Sequence, residues 1–107
     1  MEEPEVTPAG GNIFADLGLP DAEERLRKSK LVGAIQREME TQGLNQVKAA
    51  KLMGVSRPDL NQLLGGKYAR FSIERMADML NKLGLDVEMT IKPRTGEKAE
   101  FRILRAS

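Results

Sequence analysis

Arg57, Asn61 and Gln62 are the side chains of this 107-residue chain best placed to do chemistry, and that chemistry is recognition. An arginine fork matches the O6 and N7 acceptors of guanine. An asparagine or glutamine amide matches the donor and acceptor that adenine offers together. Arg57 and Asn61 stand one helical turn apart with Gln62 beside them, and Leu60, Leu63 and Leu64 occupy the opposite side. The equipment for bond breaking is thin. The chain has no histidine and no cysteine, which removes the commonest general base and metal ligand, thiol catalysis, disulfides and cysteine–zinc sites. Carboxylates, lysines and serines remain, but no arrangement of them points to an enzyme. Asp16, Asp21, Glu23 and Glu24 could hold a cation. Acids at the positive start of a helix account for them more simply, so neither metal nor cofactor is expected.

These recognition residues need a helix and something to hold it. Asn45 can cap a helix over Gln46 to Met53, with Val47, Ala50 and Met53 on its buried side. Gly54 supplies a left-handed turn residue at no steric cost. Ser56 opens the next helix and forms a capping box with Asp59, while Pro58 is tolerated in the first turn. Gly65 and Gly66 stop it. Two helices joined by a three-residue turn containing glycine make a helix-turn-helix. Counting Gln46 as position one, Ala50, Gly54, Leu60 and Leu63 fall at positions five, nine, fifteen and eighteen, as that motif requires. The second helix of such a pair enters the major groove and presents its N-terminal residues to the bases. Those residues here are Ser56, Arg57, Pro58, Asn61 and Gln62. Asp59 repels phosphate and belongs to the cap. Lys67, Tyr68 and Arg70 follow the reading helix and can grip backbone phosphates beyond it. Lys48 can do so from the helix before it, and Lys51 reads as surface.

The remaining chain divides into an arm over residues 1–20, a domain over 21–84 and a C-terminal element over 85–107. In the arm, Pro4, Pro8, Gly10 and Gly11 forbid regular structure and leave it partly disordered, whereas Ile13, Phe14, Leu17 and Leu19 are apolar enough to dock. Asp21 can cap a helix carrying Leu31, Val32, Ile35 and Met39, which ends near Gly43. Ser72 caps a helix with Ile73, Met76, Ala77, Leu80 and Leu83 on one face. The period then changes from helical to two. Leu85, Val87, Met89 and Ile91 alternate with polar residues, and Ala99, Phe101 and Ile103 do so again after a turn at residues 93–96. Antiparallel pairing of Ile91 with Phe101 would set Met89 against Ile103 and Lys92 against Glu100. Such a hairpin is marginal alone, so its apolar face must meet the helices, a second subunit or another protein. Leu85, Val87, Met89 and Ile91 are accordingly the candidate dimer surface.

The net charge of +1 hides an asymmetry. Residues 1–24 carry seven acids and no base. Residues 25–107 carry 17 bases and nine acids, a net +8. A basic body suits a partner rich in phosphate. No apolar run approaches the roughly 18 residues of a membrane span. The acidic start, MEEPEVTPAGG, is unlike a secretory signal, and the expected location is the cytoplasm, at the nucleoid.

Residues 45–67, NQVKAAKLMGVSRPDLNQLLGGK, resemble the DNA-binding core of the Xre family, which includes phage repressor and Cro proteins. The longer stretch from Asn12 to Pro93 resembles the HigA-like antitoxins and related small bacterial regulators. Its landmarks are NIFADLGLPDAEE and RFSIERMADMLNKLGLDVEMTIKP, on either side of the helix-turn-helix. The resemblance covers about three quarters of the chain and leaves out residues 94–107. It implies a mostly α, lambda-repressor-like helix-turn-helix bundle with a C-terminal β-strand or hairpin. Gln46 lies where members of the family contact phosphate, which its amide at a helix N-terminus can do. The resemblance also implies that the strand after the last helix helps to join a homodimer. The expected function is sequence-specific binding of double-stranded DNA, as a repressor of its own operon. The antitoxin resemblance adds a small basic toxin protein as partner. The alternative is a protein-interaction module that keeps the fold without specific DNA binding.

Overall fold

A computed structural model describes residues 2–3 and 12–106. The expected irregular stretch over residues 4–11 lies outside the described residues. The elements run β1 (Glu2–Glu3), α1 (Ile13–Asp16), α2 (Ala22–Gln42), α3 (Gln46–Met53), α4 (Arg57–Leu64), α5 (Ile73–Lys82) and β2 (Arg105–Ala106). The chain is mostly helical, with a short C-terminal strand.

The helices start where hydrogen-bonding caps stand. Asn45, Ser56 and Ser72 each accept a bond from the backbone N–H three residues on. Asn12 accepts from Phe14 and Ala15, and its Nδ2 donates to the Ala22 carbonyl at 2.9 Å, tying α1 to the start of α2. Asp21 behaves differently from expectation. It takes a left-handed conformation, φ 55°, and its side chain makes no capping bond. The tight turn after Pro20 sets its backbone, so it contributes negative charge near the helix start without closing a bond.

The 21-residue α2 is the spine. Its Leu31, Val32, Ile35 and Met39 meet Ala49, Ala50, Met53, Leu60, Leu63, Phe71, Met76, Met79, Leu80 and Leu83 in one core. Val47 is not in that core but half exposed. Ala49, Ala50 and Met53 centre the buried stripe of α3, and Val47 lies roughly a third of a turn away from it. Phe14 and Leu64 pack on the rim of the core, while Ile13, Leu17 and Leu19 stay exposed. Among the described residues, no helix is long and apolar enough to cross a membrane.

The C-terminal segment departs most from the expected pattern. Residues 85–95 form no ladder, and the Ile91–Phe101 register is absent. The second strand of the expected hairpin docks on α2 instead. Lys30 Nζ donates to the Phe101 carbonyl at 2.7 Å, the Arg27 guanidinium stands 5.1 Å from the Phe101 ring centre, and Ile103 packs against the core. A lone hairpin gains little in water, so contacts with a preformed helix win. The strand that does form, β2, pairs antiparallel with β1, Glu3 opposite Arg105 and Glu2 opposite Ala106.

Candidate nucleic-acid interface

The turn between α3 and α4 sets the geometry. Gly54 takes φ 68°, Val55 N–H bonds back to the Ala50 carbonyl at 3.1 Å, and Gly54 N–H bonds to that of Lys51. This left-handed stop ends α3 and sends the chain into α4 within three residues. A Cβ on Gly54 would sit 3.3 Å from Lys82 Nζ. Ala50 is the small residue at the α3–α4 contact, and Leu60 and Leu63 are fully buried beneath α4. With that face fixed inward, Arg57, Pro58 and Asn61 stand exposed.

Gln46 from the start of α3 joins Arg57, Pro58 and Asn61 around one open cleft. Two helices therefore contribute to a single site that holds an amide from each, an arginine and an apolar ring. Ser56 is exposed at the cap, and its Oγ accepts the Asp59 N–H at 3.1 Å. The reciprocal half of the capping box is replaced. The Asp59 carboxylate instead faces two arginines, with Arg70 Nη2 and Arg75 Nη2 each 3.6 Å away. Arg70 Nη1 also donates to Gln62 Oε1 at 3.0 Å, so Gln62 is half-buried beside the cleft and already has a partner. Lys48 and Lys67 are exposed on the flanks.

Tyr68 does not stand with them. Its ring is buried in the core, because the loop after α4 turns inward at Tyr68 and again at Phe71. Burial pushes its hydroxyl pKa above the ordinary 10.0, against a hydrogen bond with Ser29 and the nearby Arg25 charge. A side chain in that position cannot grip a phosphate, so Tyr68 leaves the set of contact candidates. Arg75 was not in that set. Its guanidinium stacks 4.8 Å over the buried Phe71 ring and faces Asp59 on α4. The only sequence signal was its place among the basic residues, since loop packing carries no periodicity to read. Among the described residues, no group of acids could hold a metal ion.

A helix-turn-helix domain profile matches residues 13–92. The solved structure of a protein named as an XRE-family transcriptional regulator is 37% identical, with a TM-score of 0.69 over 78% of this chain and 94% of that one. No curated protein matches. On the profile and the solved relative, the chain belongs to the helix-turn-helix domain family, among transcriptional regulators of XRE type.

Proposed function

We propose that this chain is a repressor that binds a specific double-stranded DNA sequence as a homodimer. One observation carries the reading. Gln46, Arg57, Pro58 and Asn61, from two helices, line one cleft at the solvent face of the helix-turn-helix. In this reading α4 enters the major groove, where Arg57 pairs with guanine and Asn61 with adenine. Ser56 and Pro58 lie along the same base edges. Gln46, Lys48, Lys67 and Arg70 hold phosphates on either side. Residues 21–84 form the binding unit, residues 1–20 the arm and residues 85–107 the element that joins subunits. Val87, Met89 and Ile91 are exposed and alternate with polar residues, which suits pairing with a second copy; Leu85 is half-buried at the root of that surface. Two domains so joined would read half-sites about 34–36 Å apart.

The finer reading adds autoregulation and a toxin partner in the bacterial cytoplasm. It is supported by the resemblance and by Ile13, Leu17 and Leu19, which are exposed beside Asp16, Asp21, Glu23 and Glu24. Apolar and acidic groups together suit a small basic protein.

The test is recovery of tagged chain from its native host, with bound DNA and bound protein identified separately. Enrichment of its own upstream DNA supports the repressor, and a small basic protein in the same fraction supports the antitoxin reading. Protein without specific DNA overturns the proposal in favour of an interaction module.

A further inference from the structure

We infer that Arg70 is a positioning residue for base recognition: it fixes the Gln62 amide so that Nε2 is the group Gln62 offers to a base. The inference rests on the DNA-binding reading above. Arg70 Nη1 donates to Gln62 Oε1 at 3.0 Å. A guanidinium carries donors and no acceptor, so only one of the two amide orientations can make this bond. That orientation leaves Nε2 as the open donor, and no described residue takes it.

Arg70 is itself held. Its Nη2 lies 3.6 Å from Asp59 Oδ1, and Asp59 precedes Gln62 by one turn of the same helix. The arginine therefore braces two successive turns of α4 from outside. Asp59 is flanked on its other oxygen by Arg75, which stacks on the buried Phe71 ring, so the brace is anchored in the core. The Arg70 side chain remains 65% exposed. A phosphate approaching there meets the same guanidinium that holds the amide. Contact with the DNA backbone and choice of base are thereby joined in one side chain.

The ligand chemistry follows. A donor at Nε2 suits any base with an acceptor on its major-groove edge, N7 of adenine or guanine, O6 of guanine or O4 of thymine, and rejects cytosine, which offers only its N4 amino group there. An amide freed from Arg70 can turn over and present Oε1 to the N4 amino group of cytosine, so preference at that position relaxes.

The experiment is selection of bound duplexes from a random library by the full chain and by its Gln62→Ala, Arg70→Ala and doubly substituted forms. The wild type is expected to exclude cytosine at one position of each half-site. Gln62→Ala and Arg70→Ala should each flatten that same position by roughly fivefold or more, leaving the other positions as they were. The double variant should be no flatter there than either single one. If Arg70→Ala binds all sequences more weakly but still excludes cytosine there, Arg70 is a phosphate contact only and the inference falls. An exclusion of cytosine that survives Gln62→Ala overturns it equally. If the wild type enriches no sequence, the DNA-binding reading itself has failed.

Discussion

Arg105 and Glu38, 67 residues apart, are joined by an ion pair of 2.7 Å between Nη2 and Oε1. Glu38 lies on α2 and is 5% exposed. Its other oxygen accepts from Gln42 Nε2 at 2.7 Å, and the same amide donates to the Leu83 carbonyl at 2.6 Å. One carboxylate thus ties the spine helix to the end of α5 and to the C-terminal tail.

Arg105→Ala should cost about 2 kcal/mol, because it strands a buried carboxylate with one neutral donor. The figure lies below the ~3–5 kcal/mol of a fully buried pair, since Arg105 keeps some contact with water. Glu38→Met combined with Arg105→Met should recover most of the loss. Urea unfolding midpoints of the wild type and these two variants check this.

Gly54→Ala should destabilise the fold by about 1–2 kcal/mol, through left-handed strain at φ 68°. The neighbouring Lys82 ammonium can move aside, so strain dominates over crowding. Gly33→Ala, in mid-helix with open space around it, should be neutral to stabilising by about 0.5–1 kcal/mol. Thermal unfolding of the pair separates the two kinds of glycine.

Arg57→Ala should relax base preference with a modest loss of affinity. Lys67→Ala should weaken all duplexes alike and reduce the slope of log K against log salt by about one. Titrations with selected and scrambled duplexes at several salt concentrations distinguish them. An unchanged preferred sequence after Arg57→Ala would refute the reading-helix assignment.

Ile91→Glu should convert a dimer to a monomer at micromolar concentration, as read by sedimentation. Ile91 is 90% exposed in the single chain, so the melting temperature of the monomer should hardly move. A dimer that persists would place the subunit contact elsewhere.

Tyr68 sets an alkaline limit. Its hydroxyl pKa is raised by burial in the folded state, so folding favours the protonated form. That contribution is full below the ordinary value of 10.0 and is lost as pH rises from there through the folded value. Tyr68→Phe should flatten the fall in stability above pH 10.0, measured by urea unfolding across that range.

Local rules carried far along this chain. Asn45, Ser56 and Ser72 cap their helices, Gly54 turns left-handed, and Ala50, Leu60 and Leu63 pack as their spacing requires. The same spacing placed Arg57, Pro58 and Asn61 outward together. Where the reading failed, long-range packing decided. Tyr68 and Phe71 lie in a loop with no period, and nothing local tells a buried tyrosine from an exposed one. α3 spans only eight residues, too few for spacing to mark the centre of its apolar stripe, and Val47 falls outside it. Phe101 and Ile103 alternate like a strand, yet Arg27 and Lys30, some 70 positions earlier, draw them onto α2. The alternation over residues 85–91 pairs with no strand among the described residues, which is why it remains a prediction about a second chain.

The pairing of Glu3 with Arg105 closes almost the entire chain into one loop. Contacts so distant in sequence are entropically costly to form first, so this ladder should assemble only after the helices have brought its strands near. It should also be the earliest to part. It joins only two residues of each strand, and its opening leaves the helical body intact. In amide exchange, Arg105 and Ala106 should trade hydrogen long before Ile35, Leu60 or Met76. Loss of the tail and loss of the fold would then be separate events, with the domain around α4 outlasting the seam that closes it.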